Sequence, residues 1–175
     1  MARAFISIGS NIDPEHNVLA ALLRLGSAAR IRAISTVYLT EPVGPPGQPP
    51  FYNCVAEIET DLAPRDLKFR LLRGIESELG RKRSSDKFAP RPIDLDLILY
   101  DDLVMTEEEL TLPDPDITHR PFLAVPLNEL APELVLPGSG VRISEAALAQ
   151  PRAGMAPLEN YTERLRKEMH HERKQ

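Results

Sequence analysis

The stretch RPIDLDLILYDD, Arg91 to Asp102, decides how this chain is read. In a strand successive side chains point to opposite faces, so residues two apart share one. Ile93, Leu95, Leu97 and Leu99 then form an apolar face. Asp94, Asp96, Ile98 and Tyr100 form the other, acidic in its first half. Two carboxylates at i and i+2 have Cα atoms roughly 6.6 Å apart, and side chains leaning together can grip one or two hard cations. Without a cation or a shared proton, close carboxylates repel. The pattern alone leaves a second reading open, in which both acids face water on a half-covered sheet. An acid/base pair of the glycosidase kind fits less well, because its carboxyls come from separate elements and stand about 5 Å or more apart.

The residues upstream favour a phosphate ligand. Arg91 lies between Pro90 and Pro92, which restrict the backbone on both sides of it, three residues before Asp94. A guanidinium gives bidentate contacts to phosphate and keeps its charge. Arg81, Arg83 and Lys87 fall in the preceding basic loop, which is either a segment drawn in by substrate or a solvated one. For Arg91 the alternative is a structural ion pair with a neighbouring carboxylate.

Ahead of this loop the chain alternates. ARAFISI is β-compatible and ends in the turn GSN. Asp13 and Pro14 resemble an N-cap and a first-turn proline, and Val18, Leu22 and Leu25 continue at helical spacing to Ala28. IRAISTVYLT, rich in β-branched residues, reads as one strand, and FYNCVAEIET as a third strand pairing with it. Between them EPVGPPGQPP, with five prolines, is a stiff loop. DLAPRDLKFRLLRGIESELG places Leu67, Leu71, Ile75 and Leu79 on one helical stripe, and Gly80 closes it. A short helix follows around Phe122 to Leu130. The order β-α-β-β-α-β predicts an α+β fold, a ferredoxin-like α/β sandwich with a mainly antiparallel sheet and helices on one face.

Composition narrows the function classes. Hydrophobic residues at 42% and charged residues at 27% suit a soluble domain with one sizeable core. A net charge of −5 argues against a nucleic-acid partner. No run is long enough to cross a membrane, and the start lacks a secretory signal. A lone Cys54, in a strand, reads as a core residue in a reducing cytoplasm, so a cytoplasmic location is expected; a monomer is expected separately, with no residue pattern that decides it. Residues 1–157 are expected to form the catalytic domain. Residues 158–175 form a charged tail with Leu158, Tyr161, Leu165 and Met169 at helical spacing. His170 and His171 in that tail have no companion ligands and read as solvated.

FAPRPIDLDLILY resembles the signature of the 6-hydroxymethyl-7,8-dihydropterin pyrophosphokinase family, a G/A-P-R-x-x-D-L-D run followed by a hydrophobic residue. ISIGSNI, TEPVGP (Thr40 to Pro45), QPPFYNCVAEIET, ESELGRKR, LTLPDP and HRPFLAVPLNELAPELVLP follow the family's order. The resemblance covers about residues 3 to 137. It implies transfer of pyrophosphate from ATP to the hydroxymethyl group of a reduced pterin in folate biosynthesis, releasing AMP, on a ferredoxin-like fold. By the same resemblance Asp94 and Asp96 hold two Mg2+ ions, and Arg81 and Arg91 are the catalytic arginines. Thr40, Val43, Phe51, Asn53 and Phe122 fall to the pterin. Glu76, Arg83, Thr111, Asp114 and Arg120 fall to ATP.

The chain departs from the family at three positions. Asp114 stands where the family commonly has a histidine, and an ionised Asp cannot donate a hydrogen bond. Phe88 stands for a Trp of some members and Phe51 for a Tyr. Two rival classes remain, an RNA-recognition module and a palm-type nucleotidyl transferase. The first needs exposed aromatics among basic residues on central strands, where this chain has acids. The second shares the acidic pair but has no use for a stiff loop followed by Phe51 and Asn53.

Overall fold

The computed structural model describes residues 1–172. Strand β1 (Ala2–Ser10) leads into helix α1 (Pro14–Ala28), then β2 (Arg30–Ile34), β3 (Tyr38–Thr40) and β4 (Phe51–Thr60). A composite helix follows: α2 (Pro64–Asp66), a π-helical stretch (Leu67–Leu72) and α3 (Arg73–Glu78). Beyond the basic loop come β5 (Asp94–Tyr100), the hairpin β6 (Met105–Glu107) and β7 (Leu110–Leu112), and a 3-10 turn (Pro115–Thr118). The chain then forms α4 (Pro121–Leu130), α5 (Ile143–Ala149), β8 (Met155–Pro157) and α6 (Glu159–Glu172). The end of the expected tail, residues 173–175, lies outside the described residues.

The main sheet runs β5-β1-β4-β3-β8, with β2 also on β4, and every pair is antiparallel. With β2 and β3 taken as one broken strand, its first four positions have the order of the ferredoxin-like fold. The expected single strand IRAISTVYLT is split because Ser35 to Val37 leave the ladder. The Ser35 amide still bonds the Val55 carbonyl at 3.0 Å, and the Val55 amide bonds the Ser35 hydroxyl at 2.9 Å.

Both faces of the sheet are covered, not one. Ala4, Ile6, Ile8, Cys54, Ala56, Ile58, Leu95 and Leu97 pack under the side carrying α1, the composite helix and α6. Phe5, Val55, Ile98 and Leu99 pack on the opposite side against Leu123, Ala124 and Leu127 of α4 and Ala146 and Ala147 of α5. The expected alternation in β5 holds from Asp94 to Ile98 and then changes phase. Ile6 pairs with Leu97 but Phe5 with Leu99, so Ile98 is an extra residue on β5. Such a bulge re-aims all that follows it. Leu99 therefore joins the face of the acids, and Tyr100 joins the first core.

The composite helix also departs from the expected stripe. Leu67, Leu72 and Ile75 are buried, whereas Leu71 and Leu79 are only partly so. A π-turn bonds i to i+5, so the residue returning to the face of Leu67 is Leu72 rather than Leu71. At the other end the expectation holds. Gly80 takes φ +86°, its amide bonds the Ser77 carbonyl at 3.1 Å, and the Arg81 amide bonds the Glu76 carbonyl at 3.0 Å. That is a Schellman C-cap, and it fixes the direction in which Arg81 leaves the helix. Asp13 occupies the N-cap position of α1 and Pro14 its first turn, but the Asp13 side chain makes no capping bond.

Candidate active site

A cavity of about 260 Å³ opens at one end of the sheet, on the face that carries α4. Its floor follows from register. Asp94 pairs with Gly9 and Asp96 with Ser7, and on the other side of β1 Gly9 pairs with Asn53. Paired residues share a face, so the acids and Asn53 flank β1 on one surface. Gly9 makes this crossing possible: a Cβ there would sit 2.7 Å from Asn53 Oδ1. Ser7, Gly9, Asp94, Asp96 and Asn53 all line the cavity.

Of the residues expected at the site, Thr40, Val43, Phe51, Asn53, Phe122, Arg91, Asp94, Asp96 and Asp114 line this one cavity. Asn53 Nδ2 donates to Thr40 Oγ1 at 2.6 Å, both residues being buried. Phe51 stands on β4 and Phe122 on α4, both in the cavity lining. Arg81, Glu76, Arg83, Thr111 and Arg120 are not on its walls. Arg81 and Glu76 are joined to it through Asp94: Arg81 bridges Asp94 and Glu76, the latter at 2.5 Å. Glu76 is buried, accepts the Leu95 amide at 2.8 Å and pairs with Arg83 at 3.2 Å. It anchors two arginines behind the acidic strand. Thr111 sits in the β6–β7 hairpin opposite Thr106, and Arg120 at the N-cap position of α4.

The charges are arranged unevenly. Asp94 is held by two guanidiniums, that of Arg81 and that of Arg91 at 3.0 Å. Among the described residues no guanidinium pairs with Asp96, and burial, then the Asp94 charge beside it, push its carboxyl up to about 7. Burial also raises Glu76, which the Leu95 amide and Arg81 only partly offset. Burial works against charge on Arg81 too, yet Asp94 and Glu76 together outweigh it and hold the guanidinium above its ordinary value. Asp114 accepts the Asp116 amide at 2.8 Å and so caps the 3-10 turn, a role Asp fills well. Burial raises its carboxyl as well.

Several cavity residues had no place among the expected ones: Ser7, Gly9, Glu41, Gln48, Lys87 and Asp116. Asn11 is a further one, just behind the wall. Its Oδ1 accepts the Arg91 amide at 2.8 Å, its own amide bonds the Arg91 carbonyl at 3.2 Å, and its Nδ2 donates to the Pro49 carbonyl at 3.3 Å. One buried side chain thus joins β1, the proline loop and the Arg91 segment. The signal was present in GSN, where a Gly inside a strand marks close approach and an Asn after it marks a local bonding role. The two loops also meet directly, since the Phe88 ring lies over Gly44.

An acidic pair on a ferredoxin-like sheet, with arginines converging on it, is chemically suited to holding a phosphate chain together with a divalent cation. The chain belongs to the 7,8-dihydro-6-hydroxymethylpterin-pyrophosphokinase family, whose model matches residues 5–132. It is thus an ATP-dependent diphosphokinase, and its chemistry is pyrophosphoryl transfer in folate biosynthesis. It is 40% identical over 144 residues to the 2-amino-4-hydroxy-6-hydroxymethyldihydropteridine pyrophosphokinase of Haemophilus influenzae, covering 81% of this chain and 89% of that one. To the enzyme of the same name from Pseudomonas aeruginosa it is 36% identical over 159 residues, covering 89% and 96%. A crystal structure of Plasmodium falciparum HPPK-DHPS wild type with SDX-DHP shares the fold, with a TM-score of 0.67 at 12% identity. That match covers 90% of this chain and 47% of the other, so the chain spans about half the length of that protein. Among the described residues no helix is long and apolar enough to cross a membrane.

Proposed function

We infer that the chain transfers the pyrophosphoryl group of ATP to the hydroxymethyl oxygen of 6-hydroxymethyl-7,8-dihydropterin. A bond forms from that oxygen to the β-phosphorus, the bond from the β-phosphorus to its α-bridging oxygen breaks, AMP leaves, and the hydroxyl proton is released. The observation that carries this reading is the one cavity that Asp94, Asp96 and Arg91 line together with Asn53, Phe51 and Phe122.

Asp94 and Asp96 are the residues to hold two Mg2+ ions. They fit: both reach the cavity, and a cation beside Asp96 would relieve the charge that burial and Asp94 oppose. When bound, the ions neutralise phosphate charge and align the attacking oxygen. Among the described residues no third carboxylate, histidine or thiol completes a protein cage, which suits Mg2+ that takes the rest of its shell from water and phosphates. Arg81 and Arg91 both pair with Asp94, and their guanidiniums are the groups to stabilise charge on the transferring phosphoryl. Glu76 holds Arg81 and Arg83 at the right depth for ATP, with Thr111, Asp114 and Arg120 on the nucleotide side.

On the pterin side Phe51 and Phe122 stack on the ring. Thr40 fixes the Asn53 amide so that its remaining donor and acceptor meet the ring edge. Val43, exposed on the proline loop, closes over it. The reaction would take place in a cytoplasmic monomer with no nucleic-acid or membrane partner. Residues 1–157 would supply the catalysis.

The test is AMP release by Asp94→Ala and Asp96→Ala with saturating ATP and pterin. Loss of an electrostatic contact of this kind costs about 10²–10³ in kcat. Activity equal to wild type in either variant would remove that residue from the metal site.

A further inference from the structure

The family match ends at residue 132, yet the pterin-side wall leans on chain beyond it. β3 is three residues long and carries Thr40 at its end. One edge pairs with β4; the other pairs with β8, in the register Tyr38 to Pro157, Leu39 to Ala156 and Thr40 to Met155. The Glu41 amide continues this contact to the Gly154 carbonyl at 3.2 Å. The break before β3 is held by α6 and the residue preceding it. The Val37 amide donates to Thr162 Oγ1 at 3.0 Å, and the Leu158 amide donates to the Val37 carbonyl at 2.8 Å. Arg166 Nε and Nη2 both donate to the Ile34 carbonyl, at 3.2 and 2.8 Å. Val37 and Thr162 are buried, so water does not replace their bond. The Thr162 hydroxyl gives its proton to the Leu158 carbonyl at 2.8 Å, which leaves its lone pairs aimed at Val37. Tyr161, Leu165 and Met169 are buried in the first core and fix the helix that carries these groups.

A three-residue strand makes too few ladder bonds to set its own position. Its position matters here, because Thr40 Oγ1 orients Asn53. We propose that residues 154–172 are a positioning element for the pterin wall, with Thr162 and Arg166 as the positioning residues that set β3 and through it the Thr40–Asn53 pair. This rests on the assignment of that wall to the pterin. The nucleotide side stands on β5 and the loop from Arg81 to Arg91, and among the described residues none of its hydrogen bonds runs to residues 154–172. The segment is therefore expected to govern one substrate and not the other.

The experiment compares full-length Thr162→Val, Thr162→Ser and Arg166→Gln in steady state, with ATP and pterin varied separately. Leaving the Val37 amide unpaired is expected to raise KM for the pterin roughly three- to tenfold, with KM for ATP and kcat within about twofold. Thr162→Ser keeps the acceptor and is expected to restore the wild-type value. Arg166 is on the exposed side of α6, so Arg166→Gln gives the same comparison if Thr162→Val fails to fold. An unchanged pterin KM in the folded variants overturns the proposal, and so does a parallel rise in both KM values, the mark of plain destabilisation. A wild-type enzyme that forms no AMP is a different failure: it overturns the pterin assignment, and this proposal with it.

Discussion

Gly9 shows how little of a site is visible in the type of a single residue. Asp94 and Asp96 are legible because acids in an apolar strand need a reason. Gly9 is not, because its role is the absence of a side chain beside Asn53. Gly9→Ala places a Cβ 2.7 Å from Asn53 Oδ1, and the amide must yield. Overpacking of this kind costs about 1–3 kcal/mol, and KM for the pterin is expected to rise more than KM for ATP, as read by separate titrations. Equal KM values in variant and wild type would mean that Asn53 does not depend on the gap. Cys54 presents the opposite case, since its residue type and strand position sufficed to predict a core thiol. Burial pushes that thiol up to about 12. The folded state thus holds its proton well above the ordinary range. Stability from keeping it protonated is present at neutral pH and is lost as the pH climbs from about 9 toward 12. Reaction of the native protein with a thiol reagent at pH 8 is expected to be far slower than in denaturant; comparable rates would contradict the burial.

Among the elements, the misreadings in β5 and the composite helix have one physical form: an extra residue changes the phase. The 3.6-residue period put Leu71 on the buried stripe, and the π-turn put Leu72 there. The two-residue period put Leu99 with Leu97, and the bulge at Ile98 separated them. A regular period carries no information about where an extra residue is taken up, because that depends on what the element packs against. The outcome can be measured. Leu72→Ala is expected to cost about 2–5 kcal/mol in denaturant unfolding and Leu71→Ala clearly less. The reverse order would restore the regular helix. Gly80, by contrast, was legible, because a C-cap is a local event that one glycine decides.

For the molecule as a whole, order along the chain indicated the sheet and the ferredoxin-like class but not the second layer. α4 and α5 form a core of their own with Phe5, Val55, Ile98 and Leu99, and that layer turns the acidic face of β5 from a wet surface into the floor of a cavity. Burial raises the Asp96 carboxyl for the same reason, which a strand pattern alone cannot convey. Of the fourteen site residues that the resemblance implies, nine line this cavity, while Glu76, Arg81, Arg83, Thr111 and Arg120 do not. Asn11, which ties three separate segments together, acts through contacts 38 and 80 residues away along the chain. The measurement that bears most directly on the account is the identity of the nucleotide product. Incubated with ATP, Mg2+ and 6-hydroxymethyl-7,8-dihydropterin, the protein is expected to form AMP and pterin diphosphate in equal amounts, with none formed when the metal is chelated. ADP as the product, or no AMP with all three present, would contradict it.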